Sequence, residues 1–159
     1  MAKARRRSEE TKGEAPALGA ALEFLQLLWG ISHALNASSK LMHRRLGVTG
    51  PQRLSVRIIG RQSSISAGEL ASILQLHPGT LTGIVERLCT GGYVARRPDP
   101  GDGRRAQLTL TAKGRRLDAV KTGTVEAAVQ RALRRLNGKQ LSSVRTALRY
   151  LRQELEADL

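Results

Sequence analysis

The stretch from residue 64 to residue 92 leaves the backbone little choice. "SISAGELASIL" sets Ser66 three residues before Glu69, the spacing at which two side chains satisfy each other's free amides at a helix start. Leu70, Ile73 and Leu74 supply the inner face of that helix. "QLHPGTLTGIVERLCTGG" opens another helix almost at once. Pro78 suits its first turn, Leu81, Ile84, Val85 and Leu88 face inward, and Gly91 and Gly92 stop it. Two helices joined so closely must be tight neighbours, which is the helix-turn-helix pattern.

The segments on either side extend the pattern. "YVARR" and "AQLTL" alternate as strands do and are joined by a Pro, Asp and Gly turn. Upstream, Leu18, Leu22, Leu25, Leu28, Leu35, Met42 and Leu46 recur at helical spacing, predicting one long amphipathic helix from Ala17 to about Leu46. "TGPQRLSVRIIG" predicts a second helix, with Thr49 and Gln52 at capping-box spacing and Pro51 in the first turn. Downstream, Leu117, Val120, Val129, Leu133 and Leu136 predict a helix from Thr111 to about Leu136. Asn137 with Gln140 caps a last one, whose stripe is Leu141, Val144, Leu148, Leu151 and Leu155.

The expected fold is therefore mainly α with a small two-stranded antiparallel hairpin (α+β), a winged helix-turn-helix between long terminal helices. Four segments are expected: a disordered basic arm at 1–16, an N-terminal helix at 17–48, the winged lobe at 49–112 and C-terminal helices at 113–159. The wide apolar stripes of the terminal helices have little central structure to cover them. A second copy of the chain is one economical cover, and packing on their own protomer is the other.

Charge selects the partner class. The chain has 159 residues, with 27 Lys and Arg against 13 Asp and Glu, a formal net charge of +14. Such a surplus favours a polyanion, most simply nucleic acid. Aromatics are only 3% of the chain, which leaves little surface for stacking single-stranded bases. On the second helix of the motif the outward positions are Gly79, Thr80, Thr82, Gly83, Glu86 and Arg87. Thr80 and Thr82 can donate to phosphates or bases, and Arg87 can reach a guanine or a phosphate. The hairpin "RRPDPGDGRRAQLTLTAKG" sets Arg96, Arg97, Arg104 and Arg105 about its turn, with Asp102 placed to hold Arg104. As a wing it would lie against the phosphates flanking a groove, with an arginine near the minor groove. As a plain solvated loop it would do neither. Ser66, at the start of the motif's first helix, joins the candidate DNA contacts.

The segment "LSVRIIG…ISAGELASILQLHPGTLTGIVERLCTGGYVARRPDPGDGRRAQLTLTAKG" resembles the MarR (multiple antibiotic resistance regulator) family of bacterial transcription factors. The resemblance rests on Leu70-Ala71, then Pro78, Thr80 and Thr82 at the recognition-helix start, and Arg87-Leu88 near its end. Asp102 and Arg104 follow in the wing, and Leu110, Thr111 and Gly114 after it. It is close over about residues 49 to 117. It implies a homodimeric regulator, most simply a repressor, on a pseudo-palindromic site in double-stranded DNA, with half-sites about 34–36 Å apart. It also implies a small aromatic or phenolic effector in a crevice, for which Trp29, His33, His43 and Arg57 are candidate contacts. Two departures stand out: His77 where the family often has a polar or acidic cap, and Gly79 and Gly83 where it often has longer polar side chains. An effector-independent, weakly selective or architectural DNA-binding protein is the alternative reading.

Other classes find little support. No nucleophile has a paired base, no carboxylates cluster, no glycine loop cradles phosphate, and His33, His43 and His77 are too scattered for a metal set. Neither an enzyme nor a cofactor is expected. Cys89 is the single cysteine, so no intrachain disulfide can form; it reads as a buried structural thiol. The basic N-terminus leads into polar residues rather than an apolar core, and "ALEFLQLLWG" is broken by Glu23 and Gln26. A cytoplasmic, nucleoid-associated protein with no signal peptide or membrane span is expected.

Overall fold

The computed structural model describes residues 19–62, 64–99, 101 and 106–157. The arm at 1–16 lies outside the described residues. So do Asp102, Arg104 and Arg105 at the expected wing tip. The chain divides into two units, residues 1–34 and 35–159. One long helix, α1 (Ala20–Leu46), runs through the boundary. In the first unit its large apolar side chains Leu22, Phe24, Leu27, Trp29 and Ile31 are half or more exposed.

The second unit holds the core. Helix α2 (Gly50–Ile59) starts as its sequence predicts, the Thr49 amide donating to Gln52 Oε1 at 2.8 Å with Pro51 in the first turn. A two-residue strand, β1 (Ile65–Ser66), precedes α3 (Ala67–Leu74). Gln75 then takes a left-handed conformation (φ 54°), a turn within which the chain reverses into α4 (Pro78–Thr90). Strands β2 (Val94–Pro98) and β3 (Ala106–Leu110) form the expected hairpin, with Val94 opposite Leu110 and Pro98 opposite Ala106. β1 adds to its free side, Ile65 opposite Leu108, so the sheet has three strands in the order β1-β3-β2. A two-residue strand is too short for alternation to announce it. Val56, Ile59, Ile65, Leu70, Leu81, Val85, Leu88, Val94, Leu108 and Leu117 form one buried cluster beneath these elements. Ile73, expected on the inner face of α3, is half exposed instead; Leu70 and Ala71 fill that face.

The helix expected from Thr111 to Leu136 is two helices, α5 (Ala112–Ala119) and α6 (Val125–Leu133). Apolar periodicity runs through the break and hides it. What makes it is local: Val120 is extended, Gly123 is left-handed (φ 68°), and Thr124 caps α6 by accepting from the Ala127 amide at 3.3 Å. The carbonyls at the end of α5 are gathered by Arg53, whose side chain is 1% exposed. Its guanidinium donates to the carbonyls of Leu117, Asp118 and Val120, the last at 2.6 Å, and pairs with Glu126 Oε1 at 2.7 Å. Arg57 reinforces the joint from the next turn of α2, pairing with Asp118 Oδ1 at 2.7 Å. The last helix, α7 (Gly138–Ala157), opens with Asn137 and Gln140 bonded reciprocally at 2.9 Å, as their spacing predicts. No helix among the described residues is long and apolar enough to cross a membrane.

Candidate nucleic-acid interface

The face of α4 turned away from the core is small and polar. Leu81, Ile84, Val85 and Leu88 are buried, leaving Gly79, Thr80, Thr82, Glu86 and Arg87 exposed and Gly83 half-buried. His77 caps the helix N-terminus: its Nδ1 accepts from the Gly79 amide at 3.2 Å. The residue that departs from the family pattern thus still performs the capping task, with an imidazole nitrogen in place of a side-chain oxygen. Thr82 Oγ1 donates back to the Pro78 carbonyl at 3.0 Å, so its hydroxyl hydrogen is engaged within the helix while the oxygen can still accept.

A Cβ built on Gly83 meets nothing within 4 Å. The protein itself therefore has no steric need for glycine there. Gly83→Ala should stabilise the fold by up to about 1 kcal/mol, because an interior glycine costs a helix backbone entropy. Thermal denaturation measures this directly, and a lower midpoint would contradict it.

Strand β2 brings Arg96 and Arg97 alongside, both exposed. Ser66, Thr82 and Arg96 meet at an open groove of about 500 Å³ whose walls include Gly68, Ala106 and Leu108. Three of the sequence-predicted site residues, from β1, α4 and β2, thus share one concave surface. Ser66 is itself engaged in the expected capping box, its amide donating to Glu69 Oε2 at 2.8 Å. Arg87, Arg96 and Arg97 have no acidic partner among the described residues.

Sequence reasoning missed the residues that hold the hairpin. Asp99 accepts from the Gly101 amide at 2.8 Å and from Gln107 Nε2 at 2.6 Å, closing the base of the turn. The signal was present, since Asp followed two residues on by Gly is a common side-chain-bonded turn. At the other end of the hairpin, Thr111 caps α5, accepting from the Gly114 amide at 3.0 Å, while its hydroxyl donates to the Gly92 carbonyl at 2.6 Å. Lys113 lies over the Tyr93 ring, 4.4 Å from its centroid, and donates to the Gly91 carbonyl at 2.7 Å. The first turn of α5 therefore grips the junction between α4 and β2.

The effector candidates fall apart by unit. Trp29, 70% exposed, and His33 lie in the first; His43 and Arg57 lie in the second, His43 exposed and Arg57 held by Asp118. Cys89 is half-buried and packs against the core.

A profile of the MarR family matches residues 46–105, the span that carries this surface. The HTH-type transcriptional repressor Rv2887 of Mycobacterium tuberculosis is 30% identical over 125 residues, 79% of this chain and 90% of that protein. The chain belongs to the MarR family. It is a DNA-binding transcriptional regulator of that family. Solved structures share the fold. A DNA complex of MepR from S. aureus superposes with TM-score 0.70 at 19% identity, covering 83% of this chain and 97% of MepR. The transcriptional regulator SlyA superposes with TM-score 0.69 at 20% identity, covering 86% and 96%.

Proposed function

We propose that this MarR-family regulator is a homodimeric repressor that binds a pseudo-palindromic operator in double-stranded DNA. Residues 17–48 and 113–159 carry dimerisation in this reading, and residues 49–112 carry the DNA contacts. The observation behind it is the concave face shared by Ser66, Thr82 and Arg96, with Arg87 and Arg97 exposed and without an acidic partner among the described residues. Helix α4 enters the major groove by its N-terminal end, where Gly79, Thr80, Thr82 and Gly83 let the duplex approach closely. The hairpin follows the adjoining backbone with Arg96, Arg97, Arg104 and Arg105. The repressor name of the mycobacterial relative and the DNA complex of MepR support the same assignment.

Dimerisation is the natural cover for Leu22, Trp29, Leu148 and Leu155, each half or more exposed in one protomer. Fully burying such a side chain contributes roughly 1.5–3 kcal/mol. A small aromatic or phenolic effector completes the reading, with Trp29, His33, His43 and Arg57 as its candidate contacts. A phenolic carboxylate at Arg57 would compete with Asp118. Trp29 is the only tryptophan, so its fluorescence reports such a ligand directly.

Footprinting on the DNA beside the regulator's own gene tests the assignment. Two protected half-sites about 34–36 Å apart are expected. Uniform protection of any duplex would overturn it in favour of a weakly selective or architectural protein. On the protected duplex, Arg104→Ala should weaken binding and reduce the slope of log K against log salt by about 0.9 per lost phosphate contact. Asp102→Ala adds positive charge, so electrostatics alone predicts tighter binding; if Asp102 orients Arg104, binding weakens. Tighter binding by Asp102→Ala with no loss from Arg104→Ala would reduce the hairpin to a solvated loop.

A further inference from the structure

The family's DNA-reading lobe does not account for where the positive charge lies. From residue 127 to residue 153 the chain carries six Arg and one Lys and not a single acidic residue. All seven are exposed. On α7, Arg145, Arg149 and Arg152 fall at i, i+4 and i+7 and so form one stripe. Arg134 and Arg135 lie in the turn after α6, and Lys139 in the first turn of α7. Among the described residues only Arg152 has a carboxylate nearby, Glu156 at 3.7 Å, and Arg152 also donates to Gln75 Oε1 in the turn between α3 and α4. A soluble helix surface ordinarily mixes both signs, and like charges at i,i+4 destabilise the helix that bears them. A solvated face gains nothing from this pattern.

We infer that α6, the turn after it and α7 form a second duplex-DNA-binding strip, continuous through Arg152 with the helix-turn-helix turn. The strip rests on the DNA-binding reading for its choice of polyanion. In the proposed dimer a second copy covers the apolar stripe of α7, but it is a poor occupant of the arginine face, where seven cations would meet few free carboxylates. Among the described residues the exposed carboxylates are Glu23, Glu69, Glu86, Glu154 and Glu156, of which Glu69 is engaged by Ser66, while Glu126 is held by Arg53 and Asp118 by Arg57. Arginine outnumbers lysine six to one here, and its planar fork suits phosphate oxygens. The contacts are to backbone only, so the strip adds affinity and salt sensitivity without reading sequence.

The test uses the full chain, a random-sequence 40-bp duplex and fluorescence anisotropy across a salt series. The strip variant Arg134→Gln/Arg135→Gln/Arg145→Gln/Arg149→Gln should lower the slope of log K against log salt by about two units or more. The matching Arg→Lys set should keep it. The lobe variant Arg87→Gln/Arg96→Gln/Arg97→Gln should lower the slope independently. A lobe variant without effect would count against the proposed function and leave the strip standing. A strip variant with the wild-type slope would overturn the strip and leave the lobe standing. Should the strip variant fold poorly, a photo-crosslinker in place of exposed Ser142, beside the arginine stripe, gives a second measure. A crosslink to the duplex supports the strip and its absence overturns it. Capture of phosphatidylglycerol vesicles that depends on the four arginines, with an unchanged duplex slope, would assign the face to a membrane surface and likewise overturn it.

Discussion

Arg53→Met should lower stability by about 1–3 kcal/mol, the cost of leaving a buried carbonyl acceptor without its charged donor, since Glu126 is itself only half-buried. For a chain of this size that is a fall in melting midpoint of about 2–4 °C per kcal/mol lost. The methionine fills much of the arginine stem's volume, so little of the loss is cavity. What it cannot do is donate. The Val120 carbonyl loses its donor, the Leu117 and Asp118 carbonyls keep only the Val120 amide and Arg57, and Glu126 loses its partner at the start of α6. Arg53→Lys should fall between the two, because one ammonium cannot span the positions the guanidinium fork reaches. Adding Glu126→Leu to Arg53→Met should recover only part of the loss, since the Val120 carbonyl stays unsatisfied. Chemical denaturation of the set measures this, and an Arg53→Met variant within 1 kcal/mol of wild type would contradict the role given to Arg53.

Gly114→Ala should be the other severe lesion. A Cβ at Gly114 would collide with the backbone carbonyl oxygen of Tyr93. Neither partner is the loose end of a side chain, so the first turn of α5 must move off the strand. That motion strains the Thr111 amide bond to the Tyr93 carbonyl, 3.1 Å, and the Lys113 bond to the Gly91 carbonyl. Overpacking of this kind costs about 1–3 kcal/mol and sometimes more. Because Arg96 and Arg97 follow within a few residues, DNA affinity should fall along with stability. The contrast with Gly83 is direct: the same one-methyl change is predicted to stabilise where space is open and to destabilise where a carbonyl fills it. Equal melting midpoints for Gly114→Ala and wild type would show that the junction has room to adjust.

Much of this was legible beforehand because the relevant forces are local. Capping pairs such as Ser66 with Glu69 and Asn137 with Gln140 act over three residues, and the inward set on α4 follows from helical spacing alone. What was not legible depends on distant parts of the chain. Arg53 reads as one more basic residue until the carbonyls some 64 residues on are seen to need it. The break between α5 and α6 was announced only by Gly123 and Thr124, and the apolar rhythm of Leu117, Val120 and Val129 overrode that weak signal. Thr111 and Gly114 belong to the family pattern, but their physical reasons, a cap that bonds the turn between α4 and β2 and a contact with no room for a side chain, need the fold. At the site, the groove of Ser66, Thr82 and Arg96 could not be drawn from sequence, because three separate elements build it.

Ser66 also sets how the DNA-reading part can move. It is at once the last residue of β1, opposite Gln107 of β3, and the cap of α3. One residue thus fastens the wing to the helix-turn-helix, and tilting the hairpin alone would break both the ladder and the cap. The hairpin base and the two motif helices should then travel together as a single tool head. In the proposed dimer, any adjustment of reach between the two copies' DNA-reading parts would then fall outside those elements, at joints such as the one Arg53 holds between α5 and α6.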